Sequence, residues 1–181
     1  MNITDAQALI ARAIPRGPGV WADFGAGDGT FSQALAYLLE PGSRIYAVDR
    51  KRAAMVSLKP VRIEGITLIP VVADFTRALV LPGVAGAGLD GMLFANALHF
   101  VSRAADVLRR LAPLLRPGGR LVIVEYDRRG PNHWVPYPIP APRLAELLAS
   151  AGFSTPTITA TRPSAYGGSL YVAAAERGSA P

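Results

Sequence analysis

The 181-residue sequence contains no cysteine, which removes disulfides, thiolate metal ligands and thiol catalysis and matches usage in a reducing cytosol. Histidine is nearly as scarce: His99 and His133 stand 34 positions apart, and no zinc site is built from such a pair. Only two lysines accompany seventeen arginines. A net charge of +6 and a pI near 10.2 raise the question of nucleic acid. The bases are scattered, however, without a basic tail or an aromatic–basic repeat, so a solvated arginine-biased surface is the favoured reading. Long apolar runs are missing too. The most apolar stretch, residues 79 to 101, is broken by Pro82, Asp90, Asn96, His99 and four glycines, which a bilayer span does not tolerate. The N-terminal "MNITDAQALIARAIPRG" carries Asp5, Gln7 and Arg12 where a signal peptide needs an apolar core. The expectation is a cytoplasmic protein with no membrane segment.

Half of the residues are apolar and 18% charged, with a mean hydropathy of +0.26, enough to build one sizeable core over a single domain spanning 1 to 181. Four runs without polar alternation, residues 19–24, 44–49, 66–74 and 91–97, read as buried parallel strands; 119–126, after the turn "RPGG", reads as a fifth. Helical stripes lie between them. A short helix is expected over 4–14. A clearer one begins with Thr30 as N-cap and stops at Pro41-Gly42, and a weaker one covers 51–59. Further along, Ser102 is a possible cap for a helix bent at Pro113, and Pro142 opens the last helix, which ends at Gly152. Two strand-like runs, 155–162 and 169–176, joined through Gly167-Gly168, form a hairpin. The expected fold is α/β: a doubly wound, mostly parallel seven-stranded sheet with a C-terminal antiparallel hairpin. A Pro-rich loop over 130–142 is too long for an ordinary connection and is placed near the site.

In such a sheet, ligands settle at the carboxyl ends of the strands where the winding reverses, beside the first strand. The loop there is "DFGAGDGTF", residues 23–31, with glycines at 25, 27 and 29 that let a ligand lie against bare backbone. This G-x-G-x-G spacing differs from the dinucleotide G-x-G-x-x-G. Asp28 would also oppose a pyrophosphate, since two anions about 4 Å apart repel by roughly 1 kcal/mol even in water. A cationic ligand suits the place better. Asp49 ends the second strand, 24 residues after Gly25, where a carboxylate accepts from ribose hydroxyls. Asp74 and Phe75 end the third, able to accept from an exocyclic amine and to stack on a purine. Four of the eight aspartates thus fall on one sheet edge. Taken singly, Asp23 and Asp49 also read as caps of the helices that follow.

These segments resemble a family, the class I S-adenosylmethionine-dependent methyltransferases. "VWADFGAGDGTF" is similar to their first motif, "IYAVDR" to the acidic end of their second strand, "VVADF" to the third-strand motif, "LFANALHFV" to the fourth, and "LLRPGGRLVIVEY" to the helix, turn and fifth strand. The likeness covers about residues 18 to 176 and includes the terminal hairpin. It implies S-adenosyl-L-methionine as cofactor and S-adenosyl-L-homocysteine as product. Asp23, Gly25, Ala26 and Gly27 would hold the methionine part, Asp49 with Arg50 the ribose side, Asp74 with Phe75 the adenine, and Asn96 the methyl end. Ala26 and Asp28 depart from the commoner Cys and Thr, which leaves Asp28 free to face solvent.

Methyl transfer from a sulfonium is an in-line displacement that depends mainly on placement and exclusion of water. Where the acceptor must lose a proton, His99 is the natural base, with a structural role for it equally open. Glu125 and Tyr126 end the fifth strand on the same edge and either reach an acceptor or anchor the next loop. That loop offers Trp134 and Tyr137 to a flat or apolar acceptor, and Arg128 and Arg129 to solvent or an anion. No Asn-Pro-Pro-Tyr motif of nucleic-acid amino methylases is present, residues 96–99 being Asn-Ala-Leu-His. Only about 18 residues precede the first strand, so a separate lid is expected to be minimal. The leading reading is methyl transfer to a small molecule. The alternatives are a nicotinamide-dependent oxidoreductase and a cofactor-binding subunit without catalysis.

Overall fold

The computed structural model describes residues 1–58, 63–86, 88–127, 130–164 and 168–178; Arg128, Arg129 and Gly167 lie outside these. Among the described residues, strands β1 (Val20–Phe24), β2 (Arg44–Asp49), β3 (Thr67–Val72), β4 (Leu89–Ala95), β5 (Leu115–Tyr126), β6 (Thr157–Pro163) and β7 (Ser169–Glu176) form one sheet in the order β3-β2-β1-β4-β5-β7-β6. The first five pair in parallel. β7 runs antiparallel between β5 and β6, so the expected hairpin is present with its second strand inserted into the sheet.

Alternate residues of the central strands feed opposite faces, as a doubly wound sheet requires. Ala22 and Phe24 of β1, Tyr46 and Val48 of β2, and Met92 and Phe94 of β4 join one core with α4 (Ala104–Leu111) and α5 (Ala141–Ser150). Trp21, Ile45 and Leu93 join the other, with α1 (Ile3–Ile10) and α2 (Thr30–Ala36). The short α3 (Arg52–Ser57) leans on β2 and β3. β3 departs from the buried strand expected of it, because it is the outermost strand. Only β2 pairs with it, Val72 is 49% exposed, and Pro70 occupies a place where a missing ladder donor is tolerated.

Other departures are local. α1 ends at Ile10, four residues short of the expected end. Thr30 is the first helical residue and not the cap; Gly29 holds the cap position at φ +80°, and the Asp28 carboxylate accepts from the Thr30 N–H at 3.0 Å. Arg103, not Ser102, precedes α4, and Pro113 produces a 3-10 turn over Ala112–Leu114. The "RPGG" turn is a bulge inside β5: Leu115 pairs with Leu89, and pairing resumes at Arg120 opposite Gly91.

Gly91 is also where β4 passes under the buried Trp21 indole of β1; a Cβ there would lie 2.4 Å from the ring. Overpacking of this kind costs on the order of 1–3 kcal/mol. Gly91→Ala should therefore lower the unfolding free energy read from a urea titration by that amount, with a lower midpoint, and perturb the near-ultraviolet signal of Trp21. An unchanged midpoint would contradict this packing.

Candidate functional site

The loop after β1 is held by the end of β2. The Gly25 and Ala26 N–H groups both donate to the Val48 carbonyl (2.8 and 3.0 Å), and the Gly27 N–H donates to Asp49 Oδ2 (2.9 Å). Three successive amides thus point into the protein, whereas a phosphate cradle needs them turned outward. Asp28, set against phosphate in the sequence alongside the glycine spacing, faces solvent as the sequence also allowed and accepts the Thr30 N–H at the start of α2, so the case against phosphate rests on the amides instead. Gly25 (φ +81°) and Gly27 (φ +55°) are left-handed, and a Cβ on Gly25 would come 2.7 Å from that of Ala97. Glycine is required at Gly25 by both conformation and space.

A cavity of about 380 Å³ opens against this loop, at the carboxyl ends of the strands where the winding reverses about β1. Gly25, Gly27, Asp49, Arg50, Asp74, Phe75 and Asn96 all line it, so seven of the nine expected cofactor residues converge. Asp49 is both site residue and cap, as its Oδ1 accepts from the Lys51 N–H at 2.8 Å. The Asp74 Oδ1 accepts from the Thr76 N–H and hydroxyl (2.9 and 2.6 Å), and these bonds, with the Arg77 and Arg50 charges, hold the carboxyl below its usual range. The Phe75 ring packs against Phe24 and Phe94 (centroids 6.1 and 5.6 Å) as the cavity's apolar margin. Sequence reasoning missed Lys51 and Thr76. The Asp-x-Thr pattern of an Asx turn was the available signal for Thr76.

The other two expected cofactor residues lie behind this wall. Ala26 packs against Ala47 and Met55. Asp23 is fully buried; its Oδ2 accepts from the Ser32 hydroxyl of α2 (2.6 Å), while Oδ1 has no partner. Burial pushes its pKa up to about 7, the Asp49 and Asp28 charges add to this, and the Ser32 hydrogen bond opposes it. Gly29 holds the cap position of α2, and Asp23 meets the first turn of that helix through Ser32.

Asn96, just beyond β4, is the one described non-glycine residue at positive φ (+53°), and its Oδ1 is buried without a partner. Asn96 and Phe100 also line a second cavity of about 540 Å³, together with His99, Tyr126, Trp134 and Val135. His99 is 2% exposed and Glu125 fully buried; Glu125 Oε2 lies 2.7 Å from His99 Nδ1, and Oε1 accepts the His99 backbone N–H (3.1 Å). The Glu125 carboxylate thus cannot touch an acceptor and serves to hold His99, which corrects its expected catalytic role. Tyr137 is likewise displaced. It lines a separate groove with Arg143, and it meets the site only through its N–H donating to the His99 carbonyl (2.9 Å). Phe100, 58% exposed, was the missed member, an aromatic residue directly after His99.

The fold and site are those of an open α/β domain that takes a nucleoside-sized polar ligand at the β1 switch point beside an aromatic second chamber. Residues 22–121 match the family described as "Methyltransferase domain", and the chain belongs to the class I S-adenosylmethionine-dependent methyltransferases. A curated relative, an uncharacterized 37.1 kDa protein of a Streptomyces fradiae transposon, is 27% identical over 171 residues, 84% of this chain and 48% of its own length. The chain therefore spans about half of that relative. The 1,6-didemethyltoxoflavin-N1-methyltransferase of Burkholderia thailandensis, solved with 1,6-didemethyltoxoflavin and S-adenosylhomocysteine, is 28% identical, with a TM-score of 0.69 over 98% of this chain and 78% of that one. A putative methyltransferase from Bacillus halodurans, 12% identical with a TM-score of 0.74 over 97% and 100% of the two chains, shares the fold. The residues present fit S-adenosylmethionine: Gly25 and Gly27 bring main chain to the cavity wall, Asn96 Oδ1 is buried without a partner, and both acids and bases line the cavity.

Asp23 generates a pH prediction. Its folded pKa is raised, so the unfolded chain releases the proton near 3.8 while the folded protein keeps it to about 7. Stability contributed by this group is lost as pH rises between those values, on the order of 4 kcal/mol in all. In urea unfolding at pH 5 and pH 8, Asp23→Asn should narrow the loss seen in wild type. Parallel pH slopes would contradict a protonated Asp23.

Proposed function

We propose that this domain moves a methyl group from S-adenosylmethionine to a small molecule seated in the second cavity, by in-line displacement. The observation that carries the reading is that the two cavities meet at Asn96 and Phe100, a polar chamber opening onto an aromatic one. The cofactor supplies an electrophilic methyl group on a positively charged sulfur. The chain supplies placement and exclusion of water, from which most of the acceleration of a displacement can come. The Asp49 oxygens keep lone pairs for the ribose hydroxyls after accepting their two amides, and Asp74 Oδ2 is available to the adenine amine beside the Phe75 ring. Gly25 and Gly27 offer bare main chain to the methionine part, with Ala26 fixing the loop. Arg50 and Lys51 line the cavity together with Asp49 and Asp74, charges of both signs for a ligand bearing both ammonium and carboxylate. Asp23, beneath the loop, is a positioning residue. Bound 1,6-didemethyltoxoflavin in the Burkholderia structure supports a small-molecule acceptor. The nicotinamide alternative fails on the inward-turned amides of the loop as well as on family membership.

His99 is the general base in this reading. With the Glu125 carboxylate accepting from Nδ1–H, Nε2 is the ring nitrogen that carries the lone pair. Glu125 positions it and fixes the tautomer. Tyr126 and Trp134 contribute the acceptor's walls.

Calorimetry should show S-adenosylhomocysteine binding and no NAD binding; the reverse would end the proposal. His99→Asn should reduce kcat by about 10²–10⁴, the range of general-base contributions, with cofactor affinity unchanged. Glu125→Gln should lower kcat and leave S-adenosylhomocysteine affinity unchanged, because the carboxylate orients the imidazole from behind the cavity wall. Intact S-adenosylhomocysteine binding with no tritium transfer to any cell-extract fraction would instead favour a cofactor-binding subunit.

A further inference from the structure

Two large aromatic side chains are left in water on the same cavity. Phe100 is 58% exposed and Trp134 75% exposed, and both line the chamber that holds His99. Exposed aromatics gathered at one concavity mark a surface waiting for an apolar partner. Trp134 is not there by slackness of its loop: Asn132 Oδ1 accepts from both the Trp134 and Val135 N–H groups (2.9 and 2.7 Å), an Asx turn that fixes the backbone from which the indole projects. Inside the chamber the His99 imidazole lies between Phe100 and Tyr126, with ring centroids 4.2 and 5.8 Å away. Stacked and edge-on ring pairs at such separations add attraction beyond burial of area.

The charges narrow the occupant further. The described lining is Asn96, His99, Phe100, Tyr126, Asn132, Trp134 and Val135, among which an anionic acceptor finds no cation to replace the water it loses; Arg128 and Arg129 lie outside the described residues, and the benzoate arm of the test below covers them. An anionic acceptor would also face the buried Glu125 behind His99. A cationic acceptor fares little better, since both Glu125 oxygens are taken by His99 and no other carboxylate lines the cavity. What remains is a neutral flat body with one hydrogen bond donor for the imidazole.

We propose that the acceptor is an uncharged planar aromatic or heteroaromatic ring bearing an ionisable O–H or N–H. This rests on the methyl-transfer reading above and specifies its substrate class. His99 Nε2 takes the proton from that O–H or N–H. The heteroatom's electron pair forms the new bond to the methyl carbon, and the carbon–sulfur pair returns to sulfur, leaving a neutral thioether, a methylated ring and an imidazolium held by Glu125.

The test uses binding as well as turnover. With S-adenosylhomocysteine present, 4-cyanophenol, 4-cyanobenzoate, 4-cyanobenzylamine and cyclohexanol are titrated by calorimetry and by quenching of Trp134 emission. Trp134→Phe serves as the blank, because Trp21 is only 1% exposed. The phenol should bind about tenfold or more tightly than the other three, a clear margin on the affinity scale. Trp134→Ala, at an exposed position that folding does not need, should weaken phenol binding by about as much while leaving S-adenosylhomocysteine affinity within about twofold. The ultraviolet change that reports ionisation of the bound phenol should be present in wild type and absent in both His99→Asn and His99→Gln. Equal affinity for the four probes, or tighter binding of the benzoate or the amine, overturns the ring assignment and leaves methyl transfer standing. Failure of S-adenosylhomocysteine itself to bind overturns both.

Discussion

Three consecutive amides of the loop after β1 are spent on the end of β2, two on the Val48 carbonyl and one on the Asp49 carboxylate. Much else follows from that constraint. It fixes the loop without help from a ligand, which lets the two left-handed glycines keep their conformation in the free protein. It removes the donors a phosphate would use, so the site is defined by carboxylates and bare carbon surface. And it depends on β1 and β2 being parallel neighbours in register, Phe24 beside Val48, because one residue of slip would carry Asp49 to the other face of the sheet.

The second fixed point is the Glu125–His99 pair, which ties the end of β5 to the turn after β4 across a fully buried carboxylate. A buried ion or strongly polar pair contributes little net stability, yet removing one partner leaves the other stranded at a cost of about 3–5 kcal/mol. A side chain held on such terms is better explained by orientation than by stability. The two oxygens of Glu125 take one ring N–H and one main-chain N–H of the same residue, and this sets both the rotation of the imidazole and the place of the turn that carries Phe100. Tyr171 adds to the anchoring from β7, donating its hydroxyl to the Ile139 carbonyl at 2.7 Å. Its phenol is kept protonated mainly by burial, with Glu125 and Asp127 adding to the effect.

How much of this was legible depends on whether the deciding force was local. Strand identity came from apolar runs because burial on both faces leaves no other pattern; β3 too is a strand, and what its run did not show is the edge position that leaves it partly exposed, a property of the whole sheet. Asp49, Asp74 and Phe75 were readable because strand ends in a parallel sheet fall on one rim whatever the details. The fates of Asp23 and Asp28 were not. Both flank the same glycines, yet Asp23 turns under the loop to meet Ser32 nine residues on and Asp28 turns out to accept the Thr30 N–H at the start of α2. Nor could sequence separate Glu125 from His99 as carboxylate and base, since their contact joins residues 26 positions apart. Ends of elements were likewise missed wherever a bulge or turn replaced the expected cap, as at Leu115 and Arg103.

The Pro-rich strap over the second cavity shows how the fold prepares specificity before a substrate arrives. It is held by the Asn132 turn at Trp134, by the Tyr137 N–H on the His99 carbonyl, by Tyr171 on Ile139, and by the Ala141 N–H on Asp127 Oδ1 at 3.1 Å. Prolines at 131, 136, 138 and 140 lower the conformational freedom left between these ties. Swinging the strap away would break several of these bonds at once, whereas rotating the exposed Trp134 side chain about its own bonds breaks none of them. On the methyl-transfer reading proposed above, closure over an acceptor then falls to one indole on a fixed backbone, and the ordering cost is that of a single side chain rather than of a loop. A chamber built in this way selects by the shape and polarity of its walls, with the tie to His99 ensuring that whatever the indole covers also lies against the imidazole.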